Sequence, residues 1–216
     1  MAQPVLYSYY RSSCSWRVRA ALEYKGVAYD YKPVHLMKDG GEHFKEDFKK
    51  INPMAQVPAF ITNGQTIIQS MAILEYIEET HPDPPLLPKD PLTRAKARAI
   101  AECITSGIQP LQNLALLKKL GDNIKPNWAR DWIATGFHSV EELLQQYAGK
   151  YCVGDEMTFA DVCLVPQVYN AVRFKVDLSP YPLIQRINAT LMQHPAFIKS
   201  HPANQIDCPP GEGGGF

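Results

Sequence analysis

Apolar positions along the chain keep two different periods, and the change between them falls near His81. Before it, short strand-like runs alternate with helix-spaced ones; after it the spacing is almost wholly helical. Val5 to Tyr9 predicts a first strand. Ser12 or Ser13 predicts the N-cap of a helix whose Val18, Ala21, Leu22 and Lys25 share one face and which Gly26 stops. Val27 to Val34 predicts a second strand, returned beside the first by a crossover and therefore parallel to it. Lys38-Asp39-Gly40-Gly41 reads as a mobile loop. Asn63-Gly64 accepts the positive φ angles of a type I′ turn, so the flanking runs Pro58 to Ile61 and Gln65 to Gln69 predict an antiparallel hairpin. Ser70 then predicts the cap of a helix with Ile73, Leu74 and Ile77 inward, Glu75, Glu78 and Glu79 outward, and His81-Pro82 at its end.

This order of elements, strand-helix-strand and then strand-strand-helix, is similar to that of a thioredoxin-like domain. Pro82, Pro84, Pro85, Pro88 and Pro91 follow, a density that excludes helix interior and predicts a semi-rigid linker. Asp90 as N-cap with Pro91 at the first helical position opens a long helix through Arg94, Arg98 and Glu102, kinked where Pro110 removes a donor. Asn127 to Tyr147 predicts a second helix. Thr158-Phe159-Ala160-Asp161 has the pattern of a capping box ahead of Val162-Cys163-Leu164-Val165, a helix start apolar on every face and so buried at the centre of the second domain. The expected fold class is an α/β thioredoxin-like N-terminal domain over 1–81, a proline-rich linker over 82–91 and an all-α C-terminal domain over 92–208. The glycine-rich tail over 209–216 is expected to be disordered.

Composition narrows the function classes. Of 216 residues, 22 are Lys or Arg and 22 Asp or Glu, a neutral balance that argues against a nucleic-acid or anionic-membrane surface. No apolar run approaches the roughly 18 to 20 residues of a membrane helix, and the start Met1-Ala2-Gln3-Pro4 lacks the basic flank and apolar core of a secretory signal. Cys14, Cys103, Cys152, Cys163 and Cys208 are scattered and odd in number, which disfavours a disulfide framework and points to a reducing, cytoplasmic setting. The histidines form no metal-ligand spacing, so no metal is expected.

Three groups of residues could carry chemistry. The run Ser12-Ser13-Cys14-Ser15-Trp16-Arg17 sets hydroxyls and a thiol at the opening turn of a helix, where free backbone donors favour an anion such as a thiolate. The alternative is plain capping, with Cys14 packed as a small apolar residue and Arg17 and Arg19 solvated. In Gln56-Val57-Pro58, a cis bond before Pro58 would turn the Val57 N–H and C=O outward to pair with a ligand's backbone, and Gln69-Ser70 at a helix start would hold a carboxylate. The alternative is a trans proline on an edge strand and a routine cap. Gln109 and Asn113, four apart on one helix face, and Arg173 form the third group, with wet surface as its alternative. Asp161 is assigned to capping.

Together these residues resemble the glutathione transferase superfamily and, within it, the zeta class. The resemblance covers nearly the whole chain: the Ser12–Arg19 run, Asn52-Pro53-Met54 through Gln56-Val57-Pro58, Gln69-Ser70, Gly107 to Leu114, Tyr151 to Glu156, and Arg173 to Leu178. The Ser-Ser-Cys-x-Trp-Arg-Val-Arg run carries the class; Gln-Val-Pro and Gln-Ser carry only the superfamily. The chain departs at His43, where members often have glutamine, and at Ala115, where a hydroxyl residue is common.

The resemblance implies glutathione as cofactor, with Ser12, Ser13 and Cys14 as catalytic residues near its sulfur. Ser15, Trp16, Arg17, Val57, Pro58, Gln69, Ser70, Gln109 and Asn113 complete the implied cofactor site, with Val57 on the cysteinyl backbone and Gln69 and Ser70 on the γ-glutamyl end. Arg173 is implied to read an acidic substrate. The implied activity is glutathione-dependent cis-trans isomerisation of maleylacetoacetate to fumarylacetoacetate, in tyrosine and phenylalanine catabolism, with transfer to small electrophiles such as α-halo acids. A homodimer in the cytoplasm is implied too. Two rivals stay open: a thiol transferase or dehydroascorbate reductase working through Cys14, and a non-catalytic ligand-binding protein of the same fold.

Overall fold

The computed structural model describes residues 3 to 214; Met1 and Ala2 of the sequence start and Gly215 and Phe216 of the tail lie outside the described residues. In chain order the elements are β1 (Val5–Ser8), α1 (Ser13–Tyr24), β2 (Asp30–Pro33), α2 (Glu46–Ile51), β3 (Ala59–Thr62), β4 (Gln65–Ile68), α3 (Ser70–Thr80), α4 (Pro91–Glu102), α5 (Leu114–Leu120), α6 (Lys125–Tyr147), α7 (Phe159–Arg173), α8 (Pro182–Met192) and α9 (Pro195–Ser200). The chain divides into two compact units. One takes the chain through Pro84 and then Pro195–Gly214, the other Pro85–His194. The division falls inside the proline run.

In the first unit the sheet order is β2-β1-β3-β4, with β1 and β2 parallel and the remaining pairs antiparallel. Leu6, Phe60, Val18, Leu22, Ile73 and Ile77 bury one face of the sheet against α1 and α3. Asn63 at φ 49° and Gly64 at φ 74° make the hairpin turn. Strand β2 is shorter than the run Val27 to Val34 because Val27 is spent on closing α1. With Gly26 at φ 65°, the N–H groups of Gly26 and Val27 donate to the Glu23 and Leu22 carbonyls, the double bond pattern of a glycine C-cap. Glu78 is not outward. It pairs at 2.7 Å with Lys25, whose shielded ammonium also donates to the His81 and Pro84 carbonyls and so ties the end of α3 to α1.

The C-terminal run corrects the sequence-based division. Residues 195 to 208, expected in the helical domain, belong to the first unit, where α9 packs on α1. Nor is the tail disordered as far as it is described. Glu212 accepts the Tyr10 hydroxyl at 2.6 Å, and a Cβ on Gly213 would stand 2.7 Å from Ala203 Cα. The Tyr10–Glu212 bond spans nearly the whole chain length, which no local pattern displays.

The second unit is helical, with α7 at its centre and every side chain from Phe159 to Ala171 buried. Thr158 and Asp161 form the capping box, and the Asp161 carboxylate also takes the Cys152 N–H at 2.8 Å. The helix expected to kink at Pro110 instead stops at Glu102. A wide π turn over Cys103–Ile108 and a 3-10 turn over Gln109–Gln112 absorb the missing donor. Ile108 reaches α6 at Gly136, where a Cβ would lie 2.2 Å from its side chain.

Helix α8 begins with no side-chain cap of its own. Its Leu183 and Ile184 N–H groups donate at 2.8 and 3.0 Å to the carboxylate of Glu141, a buried residue of α6. Glu141→Ala strands both donors away from water and should cost about 2–4 kcal/mol, with Glu141→Gln near the lower bound. Urea unfolding monitored by circular dichroism checks this; a loss under about 0.5 kcal/mol for the alanine variant contradicts it.

Candidate functional site

Ser12 sits in extended backbone at φ −74° and caps α1, its Oγ accepting the Ser15 N–H at 3.2 Å. The first turn of α1 holds no acidic residue, so the positive end of the helix is uncompensated from within. Ser13 and Ser15 are buried and Cys14 is half-buried. The Cys14 sulfur accepts from Arg17 Nη1 at 3.8 Å, and the same nitrogen donates to Ser70 Oγ at 3.1 Å. One guanidinium therefore joins the opening turns of α1 and α3.

The alternative of solvated arginines fails here. Arg17 and Arg19 are 1% and 0% exposed. Arg19 is saturated, donating to Ser8 Oγ, the Tyr9 and Tyr10 carbonyls and the Ser200 carbonyl. Arg17 is not: its Nε and Nη2 are buried and have no hydrogen-bond partner. Buried donors of a charged group left unpaired are costly, and an anion brought to them would recover that cost.

Ser70 is not the cap of α3. That position belongs to Gln69, held at φ 72° and ψ 120° with no side-chain cap bond, and Ser70 is the first helical residue. A non-glycine residue held there stores about 1–3 kcal/mol of backbone strain, which local sequence does not relieve. The Gln69 side chain therefore caps none of the opening N–H groups of α3, the turn that Arg17 reaches through Ser70. The Val57–Pro58 bond is cis, and sheet pairing of β3 begins only at Ala59, so the Val57 peptide groups lie outside the ladder. Val57 packs with Tyr9, Tyr10, Val34 and Phe48.

Trp16 spends its indole N–H on Ser200 Oγ at 2.8 Å. His43 is buried, its ring 3.9 Å from that of Phe44. Gln109, Asn113 and Arg173 lie in the second unit. Gln109 and Asn113 do not share a helix face as expected: Gln109 opens the 3-10 turn and Asn113 is extended, capping α5 through the Ala115 N–H. Exposed Arg173 donates to Asn170 Oδ1 at 3.2 Å and lies 5.6 Å from the Phe174 ring centroid. Among the described residues no cluster of His, Cys, Asp or Glu could hold a metal ion, and no helix is long and apolar enough to cross a membrane.

Sequence reasoning missed the polar frame behind the turn. Asp207 accepts the Tyr10 N–H at 2.9 Å and the Tyr31 hydroxyl at 2.6 Å. Burial holds the Tyr10 and Tyr31 phenols protonated, far above the usual tyrosine range, with their bonds to Glu212 and Asp207 acting in the same direction. The only signal for this frame is a pairing of opposite chain ends, invisible to periodicity. The first unit thus groups a buried cation, two helix N-termini and small hydroxyls around a thiol, a donor set whose chemistry suits anions.

Comparison with known proteins agrees with that chemistry. Residues 2–79 match the glutathione S-transferase N-terminal domain, and residues 117–202 match the glutathione S-transferase C-terminal domain. The chain is 58% identical over 207 residues to maleylacetoacetate isomerase of Mus musculus, covering 96% of each chain. It is 57% identical over 208 residues to probable maleylacetoacetate isomerase 2 of Drosophila melanogaster, covering 96% of this chain and 92% of that one. A holo maleyl pyruvate isomerase, described as a bacterial zeta-class glutathione S-transferase, superposes with a TM-score of 0.91 at 43% identity, over 95% of this chain and 100% of that one. Maleylacetoacetate isomerase of Anaeromyxobacter dehalogenans with glutathione in its active site superposes with a TM-score of 0.87 at 44% identity, over 96% and 98%.

Proposed function

Because this chain belongs to the glutathione S-transferase family, in its zeta class, we propose that it is a glutathione-dependent cis-trans isomerase converting maleylacetoacetate to fumarylacetoacetate. The observation that carries the reading is Arg17, a fully buried guanidinium with two unpartnered nitrogens between Cys14 and Ser70. The tripeptide fits this donor set, since it brings an ionisable sulfur on its central cysteinyl residue and a carboxylate on its γ-glutamyl end. Ser12, Ser13 and Cys14 surround the sulfur, the Val57 peptide pairs with the cysteinyl backbone, and Gln69, Ser70 and Arg17 hold the γ-glutamyl carboxylate.

Held by these residues, glutathione would supply a thiolate nucleophile for reversible addition to the cis double bond, and would be regenerated each cycle. The work of the protein is to keep that sulfur ionised. A free thiol of pKa near ~8.5 is about 3% thiolate at pH 7, and a fall of ~2 units, worth about 2.7 kcal/mol, makes it about three quarters thiolate. The Ser12 hydroxyl and the α1 N-terminus supply donors at the place where that charge sits. Arg173 reads the substrate's carboxylate. The same site would transfer glutathione to small electrophiles such as α-halo acids. On the family resemblance the reading extends to tyrosine and phenylalanine catabolism, a cytoplasmic setting and a homodimer.

One observation favours a second reading. The guanidinium of Arg17 touching the Cys14 sulfur suits a thiolate on the protein itself, hence a thiol transferase. Mass spectrometry of the enzyme during turnover separates the two: a glutathione adduct on Cys14 supports the transferase. Turnover of maleylacetone that requires glutathione and leaves Cys14 unmodified supports the isomerase.

Ser12→Ala should raise the pKa of the bound thiol and lower isomerase turnover about 100-fold, read by ultraviolet thiolate titration and steady-state kinetics. An unchanged titration with activity lost only in Cys14→Ala reverses the two roles. Arg17→Met should weaken glutathione binding about 10- to 100-fold in calorimetric titration, and an unaltered dissociation constant confines Arg17 to structure. If Arg173 pairs with the acetoacetate carboxylate, Arg173→Lys should raise KM for maleylacetoacetate while sparing maleylacetone, which keeps the maleyl carboxylate and lacks that second one; equal losses on both refute the assignment.

A further inference from the structure

The residues just before the Ser12–Cys14 turn are gripped by charged groups from elsewhere in the chain. Arg19 donates to the Tyr9 carbonyl at 3.2 Å and the Tyr10 carbonyl at 2.9 Å. From the C-terminal run, Asp207 accepts the Tyr10 N–H at 2.9 Å. The Ser12 N–H donates to that same Tyr9 carbonyl at 2.9 Å, so the backbone of the α1 cap hangs on an atom that Arg19 already holds. Three polar groups of two consecutive residues are thus fixed by ions, neither of which lies in the loop.

The two grips meet on one residue. Arg19, fully buried, takes the Tyr10 carbonyl and Asp207 takes the Tyr10 N–H, so neither alone fixes both backbone polar groups of Tyr10. Asp207 also accepts the Tyr31 hydroxyl, on its other oxygen, and the run beyond it is held by the Tyr10 hydroxyl on Glu212 and by the close approach of Gly213 to Ala203.

We propose that Asp207 is a positioning residue for the Ser12–Cys14 turn, acting from the C-terminal run through the Tyr10 peptide N–H. The inference rests on the assignment of that turn to the glutathione sulfur. A donor displaced by a fraction of an ångström loses much of its stabilisation of a thiolate, so a slack Tyr10 peptide is felt at Ser12 Oγ. Arg19 alone cannot supply the restraint, because it meets Tyr9 and Tyr10 only at their carbonyls and leaves the Tyr10 N–H to its acceptor.

The test uses the full-length chain. Asp207→Asn keeps the shape and removes the charge. It should raise the pKa of enzyme-bound glutathione by about 0.5–1 unit in ultraviolet titration and lower kcat about 3- to 30-fold, with KM for glutathione within about 2-fold. In the ligand-free protein, amide hydrogen exchange of residues 10 to 15 should quicken. Tyr31→Phe removes the other bond to Asp207 and leaves the Tyr10 contact, so it should lower stability and leave titration and kcat near wild type. Asp207→Glu, which keeps the charge and misplaces it by a methylene, should give the same shift at smaller amplitude and serves if the Asn variant does not fold. Asp207 variants that lower the melting temperature while thiol titration, kcat and amide exchange match wild type overturn the proposal. So does a Tyr31→Phe variant that moves all three as far as Asp207→Asn does. Wild-type enzyme that shows no bound thiolate at neutral pH overturns the underlying site assignment, and the inference with it.

Discussion

The buried guanidinium of Arg19 is the constraint around which the first unit is arranged. A desolvated cation is expensive, several kcal/mol even after relaxation, and is tolerated only where its donors are met. Here they are met by Ser8 Oγ, two consecutive carbonyls ahead of α1 and the Ser200 carbonyl at the end of α9. Meeting them forces the Tyr9-Tyr10 backbone and the C-terminal run to the same place. Trp16, one turn earlier on α1, repeats the tie to Ser200 with its indole N–H. That is why a helix far along the sequence belongs to the N-terminal unit, and why the turn carrying Ser12 is held from outside itself.

Arg17 and Arg19 stand two residues apart on α1, about 200° around the helix, so they serve opposite sides of it. Both are buried, yet one is saturated and the other is not. Saturation is the mark of a structural role, since nothing further is gained by adding a partner. Unpaired nitrogens on Arg17 are the mark of a receptive one. The same distinction separates the two arginines from Lys25, whose ammonium has two carbonyls and the Glu78 carboxylate and closes the end of α3.

Elements with local causes were legible in the sequence. Asn63-Gly64, the Ser12 cap, the Gly26 stop and the Thr158–Asp161 box each act within a few residues and are found where their chemistry places them. Misreadings arose where a distant partner decides. Glu78 looked outward because its period is polar, but Lys25 lies opposite it. Ser70 looked like a cap because serine caps well, but the strained Gln69 takes that position and frees Ser70 for Arg17. Pro110 was expected to kink a helix that a π turn had already ended. Of the candidate site, the Ser12–Cys14 run at a helix start could be read locally, and the cis bond at Pro58 stood as one of two alternatives, the one found; the burial of Arg17 and the bond of Asp207 to the Tyr10 N–H could not be read, because a charged residue reads as solvated until its partners are known.

Magnitudes settle how the donors of the site divide between its two ends. Keeping a thiol about three quarters ionised at pH 7 needs about 2.7 kcal/mol. A hydroxyl donating to a charged sulfur contributes roughly 1.5–3 kcal/mol, and the helix N-terminus about 0.3–1 kcal/mol more, reaching the upper value where it is partly buried. Those two together cover the requirement, so ionising the sulfur does not call on Arg17. A guanidinium that the sulfur does not need is available to the carboxylate end, where Ser70 Oγ already engages its Nη1. On the proposed site, carboxylate binding at Arg17 would anchor the tripeptide from its γ-glutamyl end, and the thiolate would be set by placement of Ser12. On this division, affinity for the cofactor and reactivity of its sulfur are controlled by different residues of one helix, three positions on one side of Cys14 and two on the other.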